Sequence, residues 1–320
     1  MSQSEHLLNA NTVSFNGLIS GDNIYKVPLF QRDYSWTEEN WDDLWLDIDT
    51  ARVEKSKHYM GSLVLMKKKP KYYEIIDGQQ RITTLSIVAL SCIKIINELA
   101  DRGIDKEDNL KRKNILLERF IGYSSASSLK VINKLKLNED NDPFYSSYLI
   151  QFDKVNNEKK LSTSNKSLYL AYKYFYEKVK KNVYKENSAI ELVDFLEFIG
   201  DNLTFIEISV VDELNAYLVF ETLNDRGLDL SVTDLLKNYL FSKIDDQDHS
   251  HLKNKWNNII KYIKYKEFSY FLRYFWISRN KLITEKELFK TIKRTISTAQ
   301  NVFDLIDVWC PPNLGQAIKE

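Results

Sequence analysis

The segment "ITTLSIVALSCIKII", residues 82–96, constrains the fold more than any other part of the chain. Ile82, Leu85, Ile87, Val88, Leu90, Ile93, Ile95 and Ile96 fall at nearly every angle around a helical wheel, so a helix built from them has no polar face to give to water. Other elements must enclose it. Ser86, Ser91 and Lys94 interrupt the run, which reads as too short to cross a bilayer, so a protein interior is its expected place.

Immediately before it stands "YYEIIDGQQR", residues 72–81, which reads as a strand, a glycine turn and the start of the helix. Arg81 then falls in the first helical turn, where aligned peptide dipoles leave about half a positive charge. A cation there needs an anion opposite it. Two readings supply partners for the first N–H groups of this helix. In one, Asp77 is the N-cap and Gln80 completes a D-x-x-Q capping box. In the other, Gly78 lets the backbone approach a phosphate, the amide dipoles face it and Arg81 forks onto its oxygens. Asp77 beside phosphate repels it unless a Mg²⁺ ion bridges them, since that ion takes one or two carboxylates plus phosphate oxygens. Gln79 and Gln80 then stand where a water could be positioned for attack on phosphorus, and Thr83 follows one turn on.

Two further segments carry chemistry. In "VPLFQRDYSW", residues 27–36, Gln31 and Arg32 are groups that bind phosphate, and Tyr34 and Trp36 are aromatics that stack on bases. The alternative is a loop whose aromatics pack onto the domain. In "FETLNDRGLDLSVTDLLKNYL", residues 220–240, Gly227 suits a left-handed helix end and Ser231 with Asp234 forms a capping box. Asn224, Arg226 and Lys237 are not needed by that turn and are candidates for ligand contact.

The remaining composition sets limits. Of 320 residues, 45 are Lys or Arg and 45 are Asp or Glu, so no net field draws the chain to polyanions and any such contact is local. Cys92 and Cys310 are far apart and in no metal-ligand spacing, which fits a reducing cytoplasm. "MSQSEHLLNANTV" lacks the pattern of a signal peptide. "MKKKPK", residues 66–71, reads as a charged hairpin edge, and His249 with His251 is too little for a metal site. No nucleophile triad and no G-x-x-x-x-G-K loop is present. Strands are expected at 23–27, 60–66, 72–77 and 203–211, a helix at 37–54 with Trp41, Leu44, Trp45 and Ile48 on one side, and helices from 105 to 200 and after 245.

In order and spacing, the three segments resemble the signature blocks of the GmrSD restriction endonuclease N-terminal domain family, whose core resembles the ParB/sulfiredoxin fold. The resemblance implies an α+β chain: a small mixed-sheet nucleotide-binding domain at 1–103, a helical insertion at 104–200, a strand and helices returning to the nucleotide site at 201–245, and a helical region at 246–320. It implies a cytoplasmic, Mg²⁺-dependent NTPase module of a bacterial modification-dependent restriction or anti-phage system. Asp77, Gln79, Gln80 and Arg81 are then hydrolytic, with Asp77 on the metal. Gln31, Arg32, Gly78, Thr83, Asn224, Arg226 and Lys237 bind the nucleoside triphosphate, and Tyr34 and Trp36 stack or sense DNA. Relatives carry an HNH nuclease further on, and this sequence has no histidine after His251. DNA cleavage is therefore expected from a C-terminal or separate nuclease domain. A non-hydrolysing nucleotide or DNA binder of the same fold is the competing expectation, and whether the chain forms a homodimer stays open.

Overall fold

In the computed structural model, the described residues are 8–28, 31–125, 131–185, 188–210, 232–241, 243–263, 267–283 and 285–309. The chain divides into two compact units. The first comprises 1–28 and 32–216, the second 29–31 and 217–320.

The first unit is α+β. Among its described residues, eight strands and seven helices follow in order: β1 (Leu8–Ser14), α1 (Phe15–Ile19), β2 (Ile24–Lys26), α2 (Glu38–Glu54), β3 (His58–Lys69), β4 (Tyr72–Asp77), α3 (Gln79–Asp101), α4 (Lys106–Phe120), β5 (Gly122–Ser124), β6 (Val131–Asn133), β7 (Leu135–Lys136), the short α5 (Asp142–Phe144) running into a π-helical turn Tyr145–Leu149, α6 (Thr163–Asn182), α7 (Ile190–Asn202) and β8 (Leu203–Val210). Six strands form a mixed sheet in the order β1-β8-β3-β4-β2-β7, while β5 and β6 pair separately. β3 is central, running parallel to β8 and antiparallel to β4. β8 pairs antiparallel with β1 through Leu8↔Val210 to Ser14↔Thr204, which draws the chain near residue 205 back to its beginning.

α3 is the axis of this unit. It packs on α4, α6 and α7, and its residues from Ile82 to Ile93 are all buried. Each fully buried Leu, Ile or Val contributes about 1.5–3 kcal/mol, so this one helix anchors much of the core. Its 23 residues are enough, by length and composition, to cross a membrane, which corrects the expectation of shortness. What accounts for the helix is that 83% of its most apolar window lies inside the protein. α2 is amphipathic in the usual sense, with Trp41, Leu44, Trp45, Ile48 and Ala51 inward. Trp45 meets Phe175 of α6 and Phe195 of α7 at 6.4 and 5.9 Å between ring centres. The helices of residues 106–202 thus share one core with the sheet.

The second unit is helical among its described residues: α8 (Val232–Phe241), α9 (His249–Ile263), α10 (Phe268–Ile277), α11 (Glu285–Thr295) and α12 (Ala299–Trp309). Its separate core gathers Leu236, Leu240, Trp256, Phe268, Leu272 and Trp309. Phe268 packs edge-to-face with both Trp256 and Trp309, at 5.0 and 5.9 Å between ring centres. Edge-to-face packing of this kind suits the ring quadrupoles.

Candidate functional site

The chain passes from β4 into α3 through Gly78, whose φ of 95° lies in the left-handed region. A side chain there would be strained and would also meet Leu63, with a β-carbon 2.7 Å from its Cδ1. Gly78, and not Asp77, occupies the N-cap position, and no side chain caps the helix. The expected capping box is thus absent, because Gln80 turns its amide to a neighbouring loop.

The anion that Arg81 needs is supplied from within the chain. Its Nη2 donates to Oδ2 of Asp77 at 3.2 Å and its Nη1 donates to the carbonyl of Met60 at 2.7 Å. Both side chains are mostly enclosed, with 14% of Arg81 and 19% of Asp77 exposed. The Met60 carbonyl is turned by an irregularity in β3, whose register against β8 shifts between Tyr59 and Ser62. Gly61, at φ 98°, sits in that irregularity. Burial pushes the Asp77 carboxyl above the usual carboxylate range, against the opposing pull of Arg81, the Gly78 N–H and Arg32. Desolvation therefore outweighs two nearby cations, a balance typical of carboxylates that bind a proton, a metal or a substrate.

Gln79 and Gln80 hold the segment that precedes α2. Gln79 donates from Nε2 to the carbonyl of Arg32 at 3.0 Å. Gln80 donates to the carbonyl of Asp33 at 3.2 Å and accepts from the N–H of Ser35 at 3.0 Å. Tyr34 is buried under this clamp. Its hydroxyl pairs with Thr84 at 2.8 Å and accepts from Nε1 of Trp41 at 3.0 Å, and its N–H donates to Asn141 at 2.8 Å. The ring faces the core, so the packing alternative accounts for Tyr34 without a base. Arg32 is exposed and Thr83 is buried. Gln79, Gln80, Thr83, Arg32, Asn138 and Asn141 surround a void of about 10 Å³, roughly the space of one water. Gln79, itself 8% exposed, has no partner for its buried Oε1 among the described residues.

On the other side of the first turn of α3 lies a cavity of about 170 Å³, open to solvent. Trp36, half-buried, and Arg81 line it together with Asp43 and Asp47 of α2 and His58, Tyr59 and Met60 of β3. His58 Nε2 lies 3.4 Å from Oδ2 of Asp47. Sequence reasoning missed Asp43, Asp47, His58, Met60 and Gly61. The four-residue spacing of Asp43 and Asp47 signals one helix face, but nothing in the sequence joins that face to His58.

The structure thus gathers Arg32, Trp36, Asp77, Gly78, Gln79, Gln80, Arg81 and Thr83 around one helix start. Gln31 groups with the second unit. Lys237 lies on α8 in that unit, while Asn224 and Arg226, with Gly227 and Ser231, fall outside the described residues. Among the described residues, no three His, Cys, Asp or Glu side chains are spaced to hold a metal ion. A Mg²⁺ ion that keeps most of its waters and shares phosphate oxygens needs only one or two carboxylates, and Asp77 fits that sparser demand.

A family model described as "GmrSD restriction endonuclease, N-terminal domain" matches residues 15–241, more than two thirds of the chain. No curated protein matches it.

Proposed function

The chain belongs to the GmrSD restriction endonuclease N-terminal domain family, a module of restriction and defence systems, and from this premise we propose that it binds and hydrolyses a nucleoside triphosphate, with DNA cleavage assigned to a nuclease elsewhere in the system. The observation that carries the reading is a helix start without a side-chain cap, entered through a left-handed glycine, with Arg81 lining an open cavity beside it. Backbone N–H groups and a guanidinium are the donors a phosphate requires. Arg81 has N–H groups beyond the two already committed, and Arg32 is exposed and near enough to act on Asp77. Asp77 is the residue that would hold Mg²⁺, which when bound would neutralise charge on the phosphate oxygens. In this reading Gly78 gives the backbone its close approach, Arg81 and Arg32 grip the phosphates, Trp36 offers a stacking face in the cavity wall, and Gln79 and Gln80 hold residues 32–35 against the helix start.

One observation favours a second reading, a binding module without turnover. Both amide atoms of Gln80 and the Nε2 of Gln79 are already engaged on the backbone of residues 32–35, which leaves them a structural task. Titration calorimetry with ATP, GTP, CTP and UTP in Mg²⁺ tests the site itself. Saturable binding weakened at least tenfold by Arg81→Ala is expected, and affinity unchanged by that substitution would remove the site. Binding without phosphate release would favour the second reading.

A further inference from the structure

The cavity beside Arg81 contains an acid–base pair that the proposed function does not yet use. His58 opens β3, where its backbone is paired with Leu203 of β8 and its carbonyl accepts from Oγ1 of Thr204 at 3.1 Å. Its imidazole lies 3.4 Å from Asp47, which projects from α2 across the cavity. The 3.4 Å contact is made by Nε2. A carboxylate at ion-pair distance favours a proton on the nitrogen beside it, and Nδ1 is the other ring nitrogen. The imidazole is 30% exposed and can exchange protons with solvent. His58 is two residues from Met60, whose carbonyl holds Arg81 at 2.7 Å, so the strand that positions the guanidinium also positions the imidazole.

Resting on the hydrolytic reading above, we propose that His58, oriented by Asp47, is a catalytic residue of the Arg81 cavity and acts as the general base for phosphoryl transfer to water. The water oxygen forms a bond to the γ-phosphorus while the bond from that phosphorus to the β,γ-bridging oxygen breaks, its electron pair leaving with the diphosphate. The proton lost by the water passes to Nδ1 of His58 and returns to solvent. Asp47 stabilises the imidazolium that forms, and Arg81 offsets charge on the transferring group. Asp43 on α2, Tyr59 on β3 and Arg81 on α3 also line the cavity, so the charged groups around His58 are Asp43, Asp47 and Arg81.

Steady-state phosphate release from each of the four nucleoside triphosphates with Mg²⁺ tests this in the full chain, comparing wild type with His58→Gln, His58→Ala and Asp47→Asn across pH 5 to 9. For both His58 variants a fall in kcat of about 10²–10³-fold is expected, with KM within about threefold, loss of the acid limb of the pH–rate profile, and partial rescue of His58→Ala by added imidazole. Asp47→Asn should lower kcat while keeping that limb. Calorimetric nucleotide binding and melting temperature should stay near wild type, which separates a catalytic loss from a folding one. If wild type releases phosphate and His58→Gln keeps its rate and pH profile, the role of His58 is overturned while hydrolysis stands. If wild type releases none from any nucleotide, the hydrolytic reading falls and takes this one with it.

Discussion

A β-carbon at Gly61 would stand 2.1 Å from Nη1 of Arg81. The glycine therefore makes the seat in which the guanidinium lies against the Met60 carbonyl. Gly61→Ala both fills that seat and forces alanine to φ near 98°, a region that L-residues avoid. The expected outcome is displacement of Arg81, a loss of about 1–3 kcal/mol in urea unfolding, and nucleotide binding weakened as in Arg81→Ala. Unaltered binding in a folded Gly61→Ala protein would show that the seating of Arg81 is irrelevant to the ligand.

The Asp77 carboxyl is raised by burial, so the folded chain holds its proton more tightly than the unfolded chain does. The stability linked to this group is fully present below the ordinary aspartate value of about 4 and is lost as pH rises through the higher folded value. Asp77→Asn removes the titration. Its melting temperature relative to wild type should therefore climb as pH rises from about 4 through the folded value and level off above it, as a pH series of thermal melts would register. A relative melting temperature that falls with rising pH would mean that Arg81 dominates over burial.

Gln80 fastens the segment ahead of α2 to the start of α3. Truncation in Gln80→Ala removes the partners of the Ser35 N–H and the Asp33 carbonyl, at a cost of about 1 kcal/mol, since both residues are partly open to water. Hydrogen exchange should accelerate at Ser35 while the interior of α3 stays protected. Uniform acceleration throughout α3 would instead point to global destabilisation.

Tyr34→Phe separates packing from recognition. It removes the acceptor of the Trp41 indole N–H and should lower stability by about 1 kcal/mol, with nucleotide and DNA binding unchanged, because the buried ring keeps its place. A selective loss of DNA binding at unchanged stability would restore Tyr34 as a recognition residue.

Much of the fold was legible because its signals are local. The strand 72–77, the turn at Gly78 and the enclosed helix after it follow from β-branched content, one glycine and an apolar run without a polar face. The helix after residue 37 was equally clear from Trp41, Leu44, Trp45 and Ile48. What escaped depends on pairing across the sheet. The register shift in β3 that turns Met60 toward Arg81 arises from the parallel neighbour β8, more than 140 residues later in the chain, and leaves no mark in sequence beyond Gly61. The Asp47–His58 contact joins a helix to a strand beyond it, each ordinary when read alone. The capping box failed for a related reason, since Gln80 has a tertiary partner in residues 33–35 that spacing along α3 does not show.

The most direct test is the rate of phosphate release in Mg²⁺ by wild type and Asp77→Asn, each at saturating nucleotide. The account expects saturable turnover by the wild type and a rate at least 10²-fold lower in Asp77→Asn, with calorimetry confirming that the variant still binds. Equal rates in the two proteins, or no turnover by a wild type that binds nucleotide, would contradict it.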